Sequence, residues 1–354
     1  MTSATPEGLG DYLSQGLGDR VTIVSCKRSF PGASRETWLI AAEVGGRPAG
    51  FALRIDAKGG QAIPFPLVRE YKVYRALHGS AVPVAEPLWF AENIDFAEGR
   101  PHMVRRLVDG STAVPGLESD TAEGRARCRA AAMEVLEKLA IVHTIDWAAL
   151  GLGDVLEVPP ETGSALGFEF DSWIDFWDAR KPAPDPLIEE TICWLREQVP
   201  NDTPRISLLK GNSGVGEEIW RDGRIVAMSD WELASLGDAA GDLQFSEGTF
   251  QLGDFNELLE YYEQCAGISM SEERLAFGAF LVWFKAFVSM RGYMLRCHID
   301  NGDPRLTNLS FGELYSERTR RRLISCIGRD IVSAWHDMKT HEEPLYATFR
   351  GKMR

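Results

Sequence analysis

The sequence has no long basic run, no closely paired cysteines and no clustered histidines, and each absence excludes a class of function. With 38 Lys and Arg against 52 Asp and Glu, the formal charge is −14. A nucleic-acid binder needs a basic footprint, and none is present. Two short basic clusters, residues 125–129 (RARCR) and 318–322 (RTRRR), read as solvated helix faces. The six cysteines form no C-x-x-C pair. A chain of 354 residues builds its core without staples, so they read as free thiols in a reducing compartment. The six histidines lack H-x-x-x-H spacing, so no zinc site is expected. The most apolar run, residues 275–284, ends at Lys285 and reads as a buried helix rather than a membrane span. The opening MTSATPEGLGDYL has no basic start followed by an apolar run. No signal peptide is therefore expected, and the cytoplasm is the expected compartment.

Three glycine motifs are missing as well. There is no G-x-x-x-x-G-K-[ST], so no Walker loop. Residues 211–216 (GNSGVG) fit neither G-x-G-x-x-G nor G-x-S-x-G, which removes the dinucleotide fingerprint and the nucleophile elbow.

What is present divides the chain in two. Residues 21–25 (VTIVS), 37–44 (TWLIAAEV) and 49–55 (AGFALRI) are β-type runs with glycine-containing turns between them. A helix is predicted after Pro66, with Leu67, Tyr71, Tyr74 and Leu77 at helical spacing. An extended stretch at 82–88 and an apolar run at 103–108 follow, and then Asp109-Gly110 as a turn. Beyond it the chain reads as helices over 127–144, 168–179, 187–199, 255–266 and 271–298. Embedded among them, two apolar runs flank Asp222-Gly223, a hairpin signal. The expected fold class is α+β: a β-rich N-terminal lobe over residues 1–108, a hinge near 103–108, and a mainly helical lobe over 109–354.

The chemistry concentrates at 210–230. Glu217 opens the first hairpin strand and Asp230 ends the second. Two carboxylates across a hairpin suit a hard cation such as Mg²⁺, which prefers oxygen ligands and shares them with phosphates. Taken alone, such a pair is more often solvated turn chemistry.

In order from end to end, these segments resemble the aminoglycoside phosphotransferase/choline kinase family, which has a protein-kinase-like two-lobed fold. The branch they look most like is the kinase-like domain linked to certain acyl-CoA dehydrogenases. The resemblance spans roughly residues 20–340. Residues 32–38 (GASRETW) match a nucleotide-covering loop and place Ser34, Arg35 and Thr37 near phosphate. Arg54 matches the basic residue of the third strand and Glu70 the helix acid that pairs with it. Residues 103–107 match the hinge, which implies adenine contacts from the backbone of Val104, Arg105 and Leu107. Residues 230–234 (DWELA) match the metal-binding stretch, with Asp230 as ligand. Asp238 and Asp242 imply ties between loop and helices, and His143 a structural role. Trp173, Phe176 and Trp177 are read first as core and second as lining of a substrate cleft. The resemblance implies ATP with Mg²⁺ or Mn²⁺, and an unknown small molecule as second partner. Neither nucleic acid nor a membrane is expected as a partner.

One motif departs from the family. Its catalytic loop reads H-G-D-x-x-x-x-N, whereas this chain reads Lys210-Gly211-Asn212 and then Glu217. The catalytic Asp position carries Asn212, the metal-binding Asn position carries Glu217, and Lys210 replaces the His. An amide cannot take a proton near neutral pH. Three readings stay open: a ligand-binding pseudokinase, an active kinase with rearranged base and metal roles, or unrelated chemistry on the fold. The acidic segment 169–178 (EFDSWIDFWD) favours a cationic acceptor, but its acids read more simply as one solvated helix face.

Overall fold

In the computed structural model, residues 6–29, 34–56, 65–92, 94–214, 216–294 and 309–341 are described. Residues 32 and 33 of the expected phosphate loop, and the end of the helix expected over 271–298, lie outside them. Helix α1 (Pro6–Leu17) precedes strands β1 (Val21–Arg28), β2 (Arg35–Val44) and β3 (Arg47–Asp56). Helix α2 (Leu67–Leu77), β4 (Pro87–Ala91) and β5 (His102–Arg106) follow. The five strands form one antiparallel sheet in the order β1-β2-β3-β5-β4.

Alternation along β3 sets the two faces of the sheet. Phe51, Leu53 and Ile55 enter a small core with Leu9 and Leu13 of α1, Ile40 of β2 and Val104 of β5. Arg54 and Asp56 therefore leave by the other face, where both are buried. Helix α2 buries Leu67, Glu70, Val73, Tyr74 and Leu77. The expected stripe differs at one place: Tyr71 is only half-buried, and Glu70 stands within the buried face.

The C-terminal part is helical. Helix α3 (Ala122–Thr144) starts where the Thr121 side chain accepts a hydrogen bond from the Gly124 amide. Ala132, Val135, Leu136, Leu139 and Val142 are buried, as their spacing implies. Helices α4 (Ala165–Arg180) and α5 (Pro186–Arg196) lead to the short strand β6 (Ser207–Leu209). The hairpin is β7 (Glu218–Arg221) and β8 (Arg224–Met228). Asp222 and Gly223 both adopt positive φ, at 54° and 76°, as a type I′ turn requires. Strand β9 (Ser235–Gly237) pairs with β6. Then come α6 (Ala239–Phe245), α7 (Glu247–Phe250), α8 (Phe255–Ala266), α9 (Glu272–Ser289), α10 (Leu309–Cys326) and α11 (Ile331–His341).

Helix α9 is apolar over more of its length than the ten-residue run suggested. By length and composition the segment Glu272–Gly292 passes for a membrane span, but 78% of its apolar window is buried inside the fold. It is the central helix of the larger core, packed against α4, α5, α6 and α11. Among the described cysteines, Cys26, Cys193 and Cys265 are free thiols, and Cys128 and Cys326 are buried.

A buried ion pair ties α9 to α6. Arg274 donates two hydrogen bonds, of 2.8 and 2.7 Å, to the Asp238 carboxylate, which also accepts from the Ala240 amide. Removing one partner leaves the other charge buried and unpaired. Arg274→Ala is expected to cost roughly 3–5 kcal/mol, read as a fall in the urea midpoint with an unchanged slope. A loss below 1 kcal/mol would show that water enters and solvates Asp238.

Candidate active site

The loop after β6 is shaped by backbone hydrogen bonds to one carboxylate. Asp242 Oδ2 accepts from the Lys210 amide and Oδ1 from the Gly211 amide, at 2.5 and 2.7 Å. His143 Nε2 lies 3.1 Å from the same carboxylate, and its Nδ1 is 2.7 Å from the Tyr262 hydroxyl. The Ser213 hydroxyl donates to the Asp242 carbonyl, and the Ser246 hydroxyl to the Ser213 carbonyl. Burial works against the Asp242 charge, yet His143 and the two amides hold its pKa below the ordinary value. Gly211 has φ 77°, and a Cβ there would sit 2.2 Å from the Leu233 carbonyl oxygen. Only glycine fits. Asp238, Asp242 and His143 thus hold structure, as expected.

The loop brings Lys210, Asn212, Glu217 and Asp230 together. The Lys210 side chain is fully buried, and its ammonium donates to the Asn212 carbonyl. The Asn212 amide donates to Asp230 Oδ2 at 2.5 Å. Asp230 Oδ1 lies 2.7 Å from the Arg54 guanidinium. Burial opposes the Asp230 charge, but Arg54 and Lys210 hold its carboxyl below the usual range. Its φ is 63°, a strained conformation for a residue with a side chain, and its amide donates to the Tyr74 hydroxyl. The Glu217 carbonyl accepts from the Ser229 amide and hydroxyl, so it sits beside the hairpin base, one residue before β7 begins. Burial, and next the negative charge of Asp230, push the Glu217 carboxyl up to about 7 against the pull of Lys210.

The predicted Arg54–Glu70 pair is present, at 3.3 Å. Arg54 does more than pair with one acid. Its guanidinium also reaches Asp230 and Glu232. Burial disfavours the cation, but Glu70, Asp230 and Glu232 raise its pKa well above the ordinary value.

Glu232 was not singled out from sequence, nor was Glu218. Glu232 Oε2 accepts from the Ser34 hydroxyl, the Arg35 guanidinium and the Arg54 guanidinium. Burial, followed by repulsion from Asp230, pushes its carboxyl up to about 7. Glu218 is 1% exposed, and its carboxylate faces the backbone amides of residues 216–218 without a well-formed hydrogen bond. Burial raises its pKa, while the nearby Lys210 lowers it.

The expectation at Ser34, Arg35 and Thr37 concerns backbone amides beside phosphate; the side chains of Ser34 and Arg35 are turned inward. Ser34 is bonded to Glu232, and Arg35 is also bonded to Asp56 at 2.8 Å and to the Phe65 carbonyl. Buried carboxylates draw them inward. Thr37 is a strand residue opposite Arg54, and its carbonyl accepts from the Ser29 amide. Val104 and Arg105 lie in a strand paired on both sides. Val104 is in the small core, and the Arg105 guanidinium donates to the Tyr74 hydroxyl. The Leu107 amide donates to the Gly50 carbonyl at 3.0 Å. The sheet thus pairs Val104 and Arg105 and takes the Leu107 amide, and Val108 carries the next amide, with no hydrogen bond among the described residues. Trp173 and Phe176 are buried and also line a cavity, whereas Trp177 is core. Glu169 is not solvated: it is 7% exposed and paired with Lys285 at 2.6 Å.

No group of three or more His, Cys, Asp or Glu among the described residues is placed to hold a metal. Glu217 and Asp230 are two carboxylates close enough to repel, the kind of donor set that would suit a hard cation taking its other oxygens from phosphate and water.

The sequence signature of the phosphotransferase enzyme family matches residues 28–246. Acyl-CoA dehydrogenase family member 11 from Gallus gallus is 27% identical over 263 residues, covering 66% of this chain and 32% of that protein. The Homo sapiens protein of the same name is 22% identical over 260 residues, covering 66% and 32%. The matched region therefore spans about a third of these relatives' length. A putative aminoglycoside phosphotransferase from Ralstonia eutropha JMP134 has a TM-score of 0.65 at 21% identity, covering 96% of this chain and 99% of that one. A choline/ethanolamine kinase family protein from Mesorhizobium loti has a TM-score of 0.57 at 13% identity, covering 92% of each. Aminoglycoside phosphotransferase APH(4)-Ia, as a thermostable mutant in ternary complex with ADP and hygromycin B, has a TM-score of 0.56 at 16% identity, covering 89% and 98%. These structures show the kinase-like fold.

Two measurements probe this geometry. Gly211→Ala is expected to cost at least about 2 kcal/mol, because positive φ alone costs about 1 and the Cβ would overlap a carbonyl. Unchanged urea stability would place the loop elsewhere. The second concerns pH. A carboxyl titrating near 7 when folded, against 4.5 ordinarily, binds its proton more tightly in the folded state. Glu217 is then neutral and harmless below its unfolded pKa, and destabilises progressively as pH rises towards and past 7. Glu217→Gln is expected to be more stable than the parent at pH 8 by roughly 1–3 kcal/mol, and equal to it near pH 4. A less stable variant at pH 8 would contradict the assignment.

Proposed function

Because the chain belongs to the phosphotransferase enzyme family, we propose that it binds a metal–nucleotide complex in the cleft between the sheet and the helical part, divided near residues 108 and 109, and that it transfers phosphate to ordinary hydroxyl acceptors very slowly or not at all. The observation that carries this reading is Asn212. It occupies the position of the family's catalytic Asp, and its amide is engaged with Asp230 Oδ2. In phosphoryl transfer an acceptor oxygen bonds to the terminal phosphorus, the bond to the bridging oxygen breaks, and the hydroxyl proton must go to a base. Asn212 cannot take that proton. A general base contributes about 10²–10⁴-fold, so its loss alone leaves slow transfer. Much of the remaining catalysis in such reactions is positioning and electrostatics.

The binding apparatus is better preserved. Arg54, oriented by Glu70, supplies a fixed positive charge beside Asp230. Glu217 and Asp230 would hold the cation, which when bound neutralises phosphate oxygens. To take it up, Asp230 must loosen from Asn212 or share its oxygens. Val108 offers the first free amide past β5 for a nucleobase.

A second reading rests on Glu217. A carboxyl titrating near 7 is suited to take a proton at neutral pH. On that reading the base has moved from position 212 to 217.

Thermal unfolding with ATP and Mg²⁺ or Mn²⁺ tests binding: the melting temperature is expected to rise, and Arg54→Ala and Asp230→Ala each to reduce the shift. No shift at millimolar nucleotide sinks the proposal. The double change Asn212→Asp with Glu217→Asn separates the two readings. ATP turnover that appears or rises supports the loss of a base at 212. Turnover present in the parent and abolished by the double change makes Glu217 the base.

A further inference from the structure

Residues 230–236 border two different places. Asp230 and Glu232 face the arginine cluster, while Leu233, Ser235 and Leu236 line a cavity of about 530 Å³. The first turn of α2 and the inner face of α4 supply most of the other walls. Phe65, Trp173 and Phe176 give it an aromatic lining.

The charges in this cavity are sorted by burial. Lys285 and Glu169 neutralise each other at 2.6 Å. Arg69 and Arg180 have no carboxylate within 4.0 Å among the described residues. Arg69 donates to the Ala234 carbonyl and lies 3.5 Å over the Phe65 ring. Burial lowers its pKa to about 10, with only the distant Glu157 opposing. Arg180 leans on Phe176, 4.6 Å from the ring centre. Glu157 and Asp175 also border the cavity, but both are exposed and water already solvates them. A guanidinium without a counter-charge gains from an anion, the more so where burial desolvates it as at Arg69, whereas a solvated carboxylate gains little from a cation. Guanidiniums resting on aromatic faces keep their donor edges available for a planar or tetrahedral oxyanion.

We propose that this cavity binds the acceptor through an oxyanion, a carboxylate or a phosphate carried on an apolar body, with Arg69 and Arg180 as its charge partners. The term acceptor rests on the nucleotide reading above; the anion site itself does not. The chain's net negative charge and the acids of α4 point the other way, towards a cation, but those acids sit at the rim or are neutralised by Lys285.

Three probes of similar size test the inference by calorimetry at fixed ionic strength: phenyl phosphate, phenylacetate and phenethylammonium, each with and without saturating ADP and Mg²⁺. At least one anion is expected to bind, to persist with ADP present, and to outbind the cation by tenfold or more. The two anions distinguish a phosphate from a carboxylate ligand. Arg69→Ala and Arg180→Ala are each expected to weaken anion binding at least fivefold. Should Arg69→Ala fail to fold, Arg180→Ala still decides, because Arg180 is half-exposed at a helix end. Stronger binding of phenethylammonium, no binding of either anion, or anion binding that ADP abolishes and Arg180→Ala leaves intact each overturns the proposal. Loss of the ADP-induced thermal shift with anion binding intact would sink the nucleotide reading alone.

Discussion

One carboxylate oxygen, Glu232 Oε2, accepts hydrogen bonds from Ser34 and Arg35 at the start of β2 and from Arg54 on β3. Most of the site's geometry follows from that convergence. Glu232 belongs to the stretch after β8, so the bond joins the sheet to the helical part through a buried charge. Arg35 extends the link to Asp56 and Arg54 extends it to Glu70 and Asp230. Such a network is weak evidence for net stability, since each charge was taken from water. Its stronger consequence is registry: each member is costly to leave unpaired, so the two parts meet in one arrangement.

A second carboxylate explains how the loop after β6 holds its path without help from its own side chains. Asp242 holds the backbone amides of Lys210 and Gly211, and His143 holds Asp242. None of these bonds depends on the side chain at 210, 212 or 217. Gly211 is required by the Leu233 carbonyl, not by chemistry. The backbone path of the loop and the side chains at 210, 212 and 217 are therefore physically separable here.

The same separation explains what was legible in the sequence. Periodicity revealed α2, α3 and the hairpin because their apolar residues face one core. The Arg54–Glu70 pair was legible because its partners sit at fixed places in a known order of elements. Helix α1 was missed: three glycines in twelve residues lower its helix propensity, although Leu9 and Leu13 carry its stripe. One of those glycines lets Trp89 pack against the helix, since a Cβ on Gly16 would lie 2.6 Å from the indole. Glu232 and Glu218 were missed because burial of an acid is a tertiary property with no local signal. The expected hinge was legible as an apolar run, but not that the Leu107 amide just past β5 is taken up by the Gly50 carbonyl, because sheet pairing is a tertiary property.

Arginine at position 54 matters more than a basic charge there would suggest. A guanidinium presents a rigid fork of donors, whereas an ammonium is a compact point charge. The fork lets Arg54 face Glu70, Asp230 and Glu232 together. It thereby stabilises the Asp230 carboxylate in its charged form. Around it, Arg35, Arg54 and Lys210 face Asp56, Glu70, Glu217, Glu218, Asp230 and Glu232, so carboxyls outnumber cations. The deficit shows at Glu217, Glu218 and Glu232, whose carboxyl pKa values burial raises. Glu217 lies near Asp230, where two anions repel unless a proton or a cation comes between them. On the proposed reading a divalent ion would displace that proton, so the hold on metal would strengthen as pH rises through the range in which Glu217 titrates.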